Sequence, residues 1–388
     1  MKKIKVLHVT GTMNRGGAEV MLMDIYRHIS KDLFHFNFLI NYHLKTGIAK
    51  GDFDDEILSL GAQMKYIGTQ WDLGPTKYFK VFKSIIEETG TPDIVHIHLN
   101  AKSGIIALAA KKAGVKKVIV HSHADLKFRG SLISRTLSTA ELQFQKFLIA
   151  SYGSNFWGCS QEANDSLFYK RLQTKGRSAI INNAVDVNAF QSVSQNEIET
   201  LRRSYGGSKD TLVVGNIGRI VKHKNVLFIM YVLNELSKRK VDFRFVFAGR
   251  AGQASYLEEI KNKAEEFKIS DRVIYLGVRD DVPVITNTFD VFVGPALKEG
   301  FGLVAVEAQA AGVPCVLYTG FPGSVDMGMN LVTFLNEWNV EKWADAILRS
   351  RDIKLTDKGF IKNKIADLGF DIISNVSMVE ELYRNILK

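Results

Sequence analysis

Glu299 and Glu307 are the residues that type and spacing best equip for chemistry. They bracket the run Lys298-Glu299-Gly300-Phe301-Gly302-Leu303-Val304-Ala305-Val306-Glu307. Gly300 and Gly302 permit a tight turn, and the residues from Leu303 onward carry helical apolar spacing. The stretch Val291-Phe292-Val293 reads as a buried strand ending at Gly294-Pro295. A strand, a short loop and a helix start present unbonded backbone N–H groups, an arrangement that binds phosphate. Glu299 falls in the loop and Glu307 well inside the helix. Eight helical residues span roughly 12 Å, so the two carboxylates are not a touching acid/base dyad. They suit two ends of one extended ligand: sugar hydroxyls, a diphosphate at the helix start, then ribose hydroxyls. A nucleotide-sugar has that layout.

Two further turns suit an anionic group. Gly215-Asn216-Ile217-Gly218-Arg219 is followed by Lys222, His223 and Lys224. On a diphosphate, Arg219 can be bidentate and Lys224 a point charge. A solvated basic loop gives the same string, but the nearby phosphate-ready helix start weighs against it. Earlier, Thr10-Gly11-Thr12-Met13-Asn14-Arg15-Gly16-Gly17 leads into a helix. Its Gly16-Gly17 lets the backbone approach a bulky or anionic group, although the spacing is not the Gly-x-Gly-x-x-Gly dinucleotide fingerprint.

Histidines gather at strand ends: His96 and His98, then His121 and His123. Alternation puts each pair on one strand face. No cysteine or carboxylate triad joins them, which argues against zinc and for one histidine lining a site while the others are structural. The acidic run Asp52-Phe53-Asp54 looks like a metal-binding Asp-x-Asp pair. It also starts a helix, where the macrodipole accounts for it without metal.

Elements that would position these residues fall into two α/β series. The first runs from strand Ile4–Val9 through strands at 36–40, 64–67, 94–98 and 118–121, with helices between, to strands near 155–159 and 178–181. The second opens at strand 211–217 and repeats the alternation to strand 316–317, and the polar stretch 191–210 separates the two. Alternation of this kind predicts parallel sheets covered on both faces. At 388 residues the chain exceeds one ordinary core.

Residues 1–190 hold 25 Lys and Arg against 16 Asp and Glu, a net of +9, out of +10 for the whole chain. A basic half beside a neutral one suggests an anionic partner. The basic, aromatic string Lys77-Tyr78-Phe79-Lys80-Val81-Phe82-Lys83, with Lys127-Phe128-Arg129 and Arg135, suits an anionic membrane interface; buried aromatics with solvated lysines would look the same. No apolar run reaches the length of a membrane span. Cys159 and Cys315 read as free buried thiols of a reducing compartment, so a cytoplasmic location is expected, with peripheral association at the inner face of the plasma membrane.

Taken together these residues resemble the family-4 retaining glycosyltransferases of the GT-B fold, among them the bacterial enzymes of exopolysaccharide and capsule synthesis. The resemblance rests on Asn14-Arg15-Gly16-Gly17-Ala18-Glu19, His121-Ser122-His123, Ser160, Asn183-Ala184-Val185-Asp186 with Phe190, Gly218-Arg219 with Lys224, Phe289 to Val293, Glu299 to Glu307, and Ala308 to Pro314. It implies two Rossmann-like, doubly wound α/β domains facing across a cleft: residues 1–190 for the acceptor, 191–370 for the nucleotide-sugar, and a helix at 371–388 returning to the first. It also implies roles. Arg219 and Lys224 hold the diphosphate, Glu299 contacts the donor sugar, backbone amides around Phe301, Gly302 and Leu303 meet phosphate and sugar, and Glu307 binds the ribose. Gly16 and Gly17 close over the diphosphate, and His123, with His121 as the alternative, lies near the sugar. Pro295-Ala296 departs from the family's Pro-Ser, and Ala184 stands where a glycine is usual.

The implied activity is metal-independent, retaining transfer of a hexose or N-acetylhexosamine from a nucleotide diphosphate donor, UDP above all, with no cofactor. The acceptor would be a saccharide, free or polyprenyl-diphosphate-linked. A nucleotide-sugar 2-epimerase is the neighbouring alternative, and would convert donor without acceptor. A basic nucleic-acid binder is the distant one, and no recognition motif supports it.

Overall fold

The computed structural model describes residues 2–124, 126 and 132–388. The chain divides into two compact units. One holds the residues up to Ala184 together with Ile372–Lys388, and the other holds Val185–Asp371. The boundary at 184/185 lies before the position suggested by polar composition, because Phe190 is an apolar anchor of the second unit's core. Among the described residues no helix is long and apolar enough to cross a membrane.

In the first unit the elements are β1 (Ile4–Thr10), α1 (Gly17–His28), β2 (Phe34–Tyr42), α2 (Asp54–Ser59), β3 (Met64–Gly68), α3 (Gln70–Thr89), β4 (Ile94–Ile97), α4 (Ser103–Lys112), β5 (Lys117–Ser122), α5 (Leu132–Tyr152), β6 (Asn155–Gly158), α6 (Gln161–Leu167) and β7 (Ser178–Ile180). All seven strands are parallel, in the order β3-β2-β1-β4-β5-β6-β7. Separate apolar clusters cover its two faces, which is why its strands read as near-continuous Val, Ile and Phe runs. α3 is kinked where Gly74, at φ 71°, precedes Pro75.

The second unit contains α7 (Val187–Gln191), α8 (Gln195–Ser204), β8 (Leu212–Ile217), α9 (Val226–Lys238), β9 (Phe243–Ala248), α10 (Ala254–Glu266), β10 (Val273–Tyr275), α11 (Val282–Asn287), β11 (Val291–Gly294), α12 (Leu303–Ala310), β12 (Cys315–Tyr318), β13 (Val332–Leu335), α13 (Val340–Ser350) and α14 (Lys358–Asp367). Its parallel sheet runs β10-β9-β8-β11-β12-β13. The chain then re-enters the first unit as α15 (Ile372–Leu387). There Ile372, Val376, Val379, Tyr383 and Ile386 join the cluster of Phe34, Phe36 and Trp157.

The string from Lys77 to Lys83 resolves as the plainer alternative. Tyr78 and Phe82 are core residues of α3, while the three lysines are exposed. Lys127-Phe128-Arg129 and the Arg135 side chain lie outside the described residues. Both cysteines are free, Cys315 buried and Cys159 only partly so.

Candidate active site

In an open parallel sheet, ligands bind beyond the carboxyl ends of the strands where the order reverses. In the second unit that point lies between β8 and β11, which are hydrogen-bonded neighbours. The loops leaving these two strands carry Arg219 with Lys224 and Glu299 with Gly302. Asn216 ties the strand ends together, its Nδ2 donating to the Val293 carbonyl at 2.7 Å. Leu297 N donates to the His223 carbonyl at 2.8 Å, which joins the loops directly.

A small pocket opens there. Asn216, Gly218, Arg219 and Lys224 line it together with Gly294, Pro295, Ala296, Val304 and Phe321. Lys224 is ion-paired with Glu299, and their side chains are only 19% and 15% exposed. Glu299 N donates to the Gly320 carbonyl at 2.9 Å, fixing the loop that carries the carboxylate. Arg219 is exposed. Burial, reinforced by the Lys224 and Arg219 cations, lowers the pKa of His223.

α12 begins at Gly302, whose φ of 89° is left-handed. A Cβ there would come within 2.5 Å of the Phe321 ring. Glycine thus lets the turn pack on Phe321 while the amides of Leu303 and Val304 have no carbonyl to bond within the helix; that of Ala305 donates to the Gly302 carbonyl at 2.9 Å. Phe301 is partly buried and stacks on Phe370, ring centroids 4.8 Å apart. Its ring is a packing group. Glu307 stands in the second turn of α12, half-buried. Gln309, which the sequence reading did not single out, braces that helix. Its Nε2 donates to the Ala305 and Val325 carbonyls, and its Oε1 accepts from Met327 N.

In the first unit, Gly16 caps α1 and Gly17 opens it. A Cβ on Gly17 would meet nothing within 4 Å, whereas one on Gly16 would lie 2.4 Å from a Glu19 carboxylate oxygen. Burial raises the pKa of the Glu19 carboxyl. Asp52 braces this loop by accepting from Arg15 N at 3.0 Å. Asp54 starts α2 and accepts from Gly51 N at 2.8 Å, so helix-start geometry accounts for the acidic run.

The predicted strand faces bring four histidines together, and a fifth joins them. His8 of β1 was hidden inside an apolar strand and had given no signal. His8 Nδ1 lies 3.0 Å from His98 Nε2, and His98 Nδ1 lies 2.9 Å from His123 Nε2. A second string runs from Tyr383 Oη to His96 Nδ1 at 2.7 Å and from His96 Nε2 to His121 Nδ1 at 3.2 Å. Burial drives the pKa of His8 down to about 3 and that of His123 to about 4. It carries His96, His98 and His121 well below the usual value, helped by neighbouring histidines. All five are neutral imidazoles near pH 7.

Residues 197–365 match the family model described as glycosyl transferases group 1. The chain is 32% identical over 380 residues to EpsF, a glycosyltransferase-family protein of Bacillus subtilis, covering 98% of this chain and 96% of EpsF. The chain belongs to the glycosyltransferases, as a homologue of EpsF. It is also 27% identical over 301 residues to an Escherichia coli enzyme named UDP-Gal:alpha-D-GlcNAc-diphosphoundecaprenol alpha-1,3-galactosyltransferase, covering 75% of each. The structure of Anabaena HepE in complex with UDP-glucose superposes with a TM-score of 0.73 over 97% of this chain and 98% of HepE, at 20% identity. That likeness gives the glycosyltransferase the GT-B fold, with two Rossmann-like units. The family model covers most of the second unit, including Arg219, Lys224, Glu299 and Glu307.

Proposed function

We propose that this glycosyltransferase moves a hexose or N-acetylhexosamine from a UDP-sugar to a saccharide hydroxyl, with retention of anomeric configuration. One observation carries the reading: Arg219, Lys224, Glu299 and the start of α12 converge at the switch point of one sheet. Loss of a diphosphate bearing negative charge is the demanding step. Fixed cations and a helix N-terminus stabilise that charge without reorganising in the transition state. Arg219 and Lys224 take the diphosphate, Glu299 the donor sugar hydroxyls, the amides of Phe301, Gly302 and Leu303 phosphate and sugar, and Glu307 the ribose. In the first unit, the Gly16-Gly17 backbone binds the diphosphate and His123, or His121, reaches the sugar. Transfer proceeds by front-face displacement, the leaving phosphate accepting the acceptor proton, with no metal required.

UDP as the nucleotide is supported by HepE, solved with UDP-glucose, and by the UDP-Gal-dependent relative. That relative's diphosphoundecaprenol acceptor supports a polyprenyl-diphosphate-linked saccharide in cell-surface polysaccharide synthesis. Such an acceptor supports a cytoplasmic enzyme working peripherally at the inner face of the plasma membrane. The net +9 of residues 1–190 suits anionic headgroups. Incubating the enzyme with UDP-sugars and lipid-linked saccharides, then reading the anomeric configuration of the product by NMR, tests the reaction. Conversion of donor alone to its 2-epimer would replace it.

A further inference from the structure

We propose that His98, His121 and His123 form a binding site for a divalent transition-metal ion of the zinc class. Each offers one ring nitrogen, and the three nitrogens lie within 4.8 Å of one another. Two imidazoles on one zinc ion place their nitrogens about 3.3 Å apart, given Zn–N distances near 2.0–2.1 Å. His98 Nδ1 and His123 Nε2 already stand 2.9 Å apart, across a hydrogen bond whose proton the ion would displace.

Three features favour this trio. First, His121 Nε2, the nitrogen left for an ion when Nδ1 faces His96, is buried and has no hydrogen-bond partner among the described residues. An orphaned imidazole nitrogen in a dry site is costly unless something takes its lone pair or proton. Second, an outer layer is in place. His98 Nε2 faces His8 Nδ1, and His121 Nδ1 faces His96, which is held in turn by Tyr383. Metal-bound histidines are oriented by partners of this kind on the other ring nitrogen. Third, access is available. His98 follows β4 and His123 follows β5, at the carboxyl edge of the sheet, and His123 is partly exposed. The deeper trio of His8, His96 and His98 is buried throughout and has no partly exposed member through which an ion could enter.

Imidazole ligands without carboxylates select zinc, cobalt, nickel or copper over magnesium and calcium. Three ligands leave a fourth position for water or an anion. The transfer reaction does not call on this ion. A loaded site ties up His123, and on the reading that His123 meets the donor sugar, occupancy competes with transfer.

The full-length chain, stripped with a chelator, is titrated with cobalt(II). The expected result is one ion per chain with the visible absorption of a low-coordinate nitrogen site, displaced by zinc. His98→Asn and His121→Asn, checked for fold by circular dichroism, should each weaken binding about tenfold or more, while His43→Asn on the surface should not. Absence of stoichiometric cobalt bands in the wild-type chain overturns the site, whatever the variants do, and so do folded variants that bind like wild type. Zinc should also lower turnover, with recovery on chelation. Cobalt loading without inhibition would leave the cation site standing and count against the assigned role of His123.

Discussion

Lys224 and Glu299 form a largely buried ion pair across two loops that leave neighbouring strands of one sheet. The pair joins a group assigned to the diphosphate to one assigned to the sugar. Each charge stands ready for a donor while neutralising the other in its absence. Replacing Lys224 with methionine removes the cation and strands the carboxylate. Turnover is expected to fall by about 10²–10³-fold, the usual effect of losing one transition-state charge partner. Steady-state kinetics on a variant with an unchanged circular dichroism spectrum checks this, and wild-type turnover would refute the role.

Arg219 differs because it is exposed, and its fork geometry matters more than its charge. Arg219→Lys should keep part of the donor affinity that Arg219→Ala loses, while both lower kcat. If both variants match wild type, the diphosphate lies elsewhere.

Gly302 has a left-handed φ and no space for a Cβ against Phe321. Gly302→Ala should cost about 1–3 kcal/mol from backbone strain, with ring displacement in addition. Gly300→Ala serves as control, because a Cβ there meets nothing within 4 Å. Urea denaturation that shows equal stability for both variants would contradict this account of the turn.

Acid should selectively weaken the first unit of the chelated enzyme. Its five clustered histidines have folded pKa values below the unfolded value near 6.5, with His123 at about 4 and His8 at about 3. Between those limits the unfolded chain binds more protons, so stability rises with pH. The stabilisation is complete above pH 6.5 and drains away as pH falls toward the folded values. Each histidine contributes up to about 1.4 kcal/mol per pH unit. Urea midpoints measured from pH 8 down to 4.5 should fall steeply below 6.5, and a flat profile would mean that the cluster is not buried and neutral.

Tyr383 reaches His96 from the last helix. Tyr383→Phe leaves a fully buried ring nitrogen without its partner and should cost about 1–3 kcal/mol. Its readout is the thermal midpoint of the full chain, where no change would show that the bond contributes nothing.

Much of this was legible in the sequence because parallel strands buried on both faces leave unbroken apolar runs. β1, β5, β8 and β11 were readable for that reason, and so was the helix start at Leu303 with glycines before it. β13 left no such run, since all four of its residues are only partly buried at a sheet edge. α8 has no buried residues, and its polar composition masked it. Its capping box, Ser194 with Glu197, was the available signal. The chain crossing at 184/185 and the convergence of His8 on the other histidines depend on contacts far apart in sequence, which local patterning does not encode. The Glu299 loop was found because its glycines and carboxylates are contiguous. The Lys224 pairing, across 75 residues, was not.

Donor recognition is tested most directly by isothermal titration calorimetry of the full chain with UDP-glucose, UDP-galactose and UDP-N-acetylglucosamine, beside their GDP- and ADP-linked counterparts. Saturable heat with at least one UDP-sugar, in the presence of chelator and lost in Lys224→Met, is the expected result. No heat with any of these donors would contradict the assignment of the second unit as a nucleotide-sugar site.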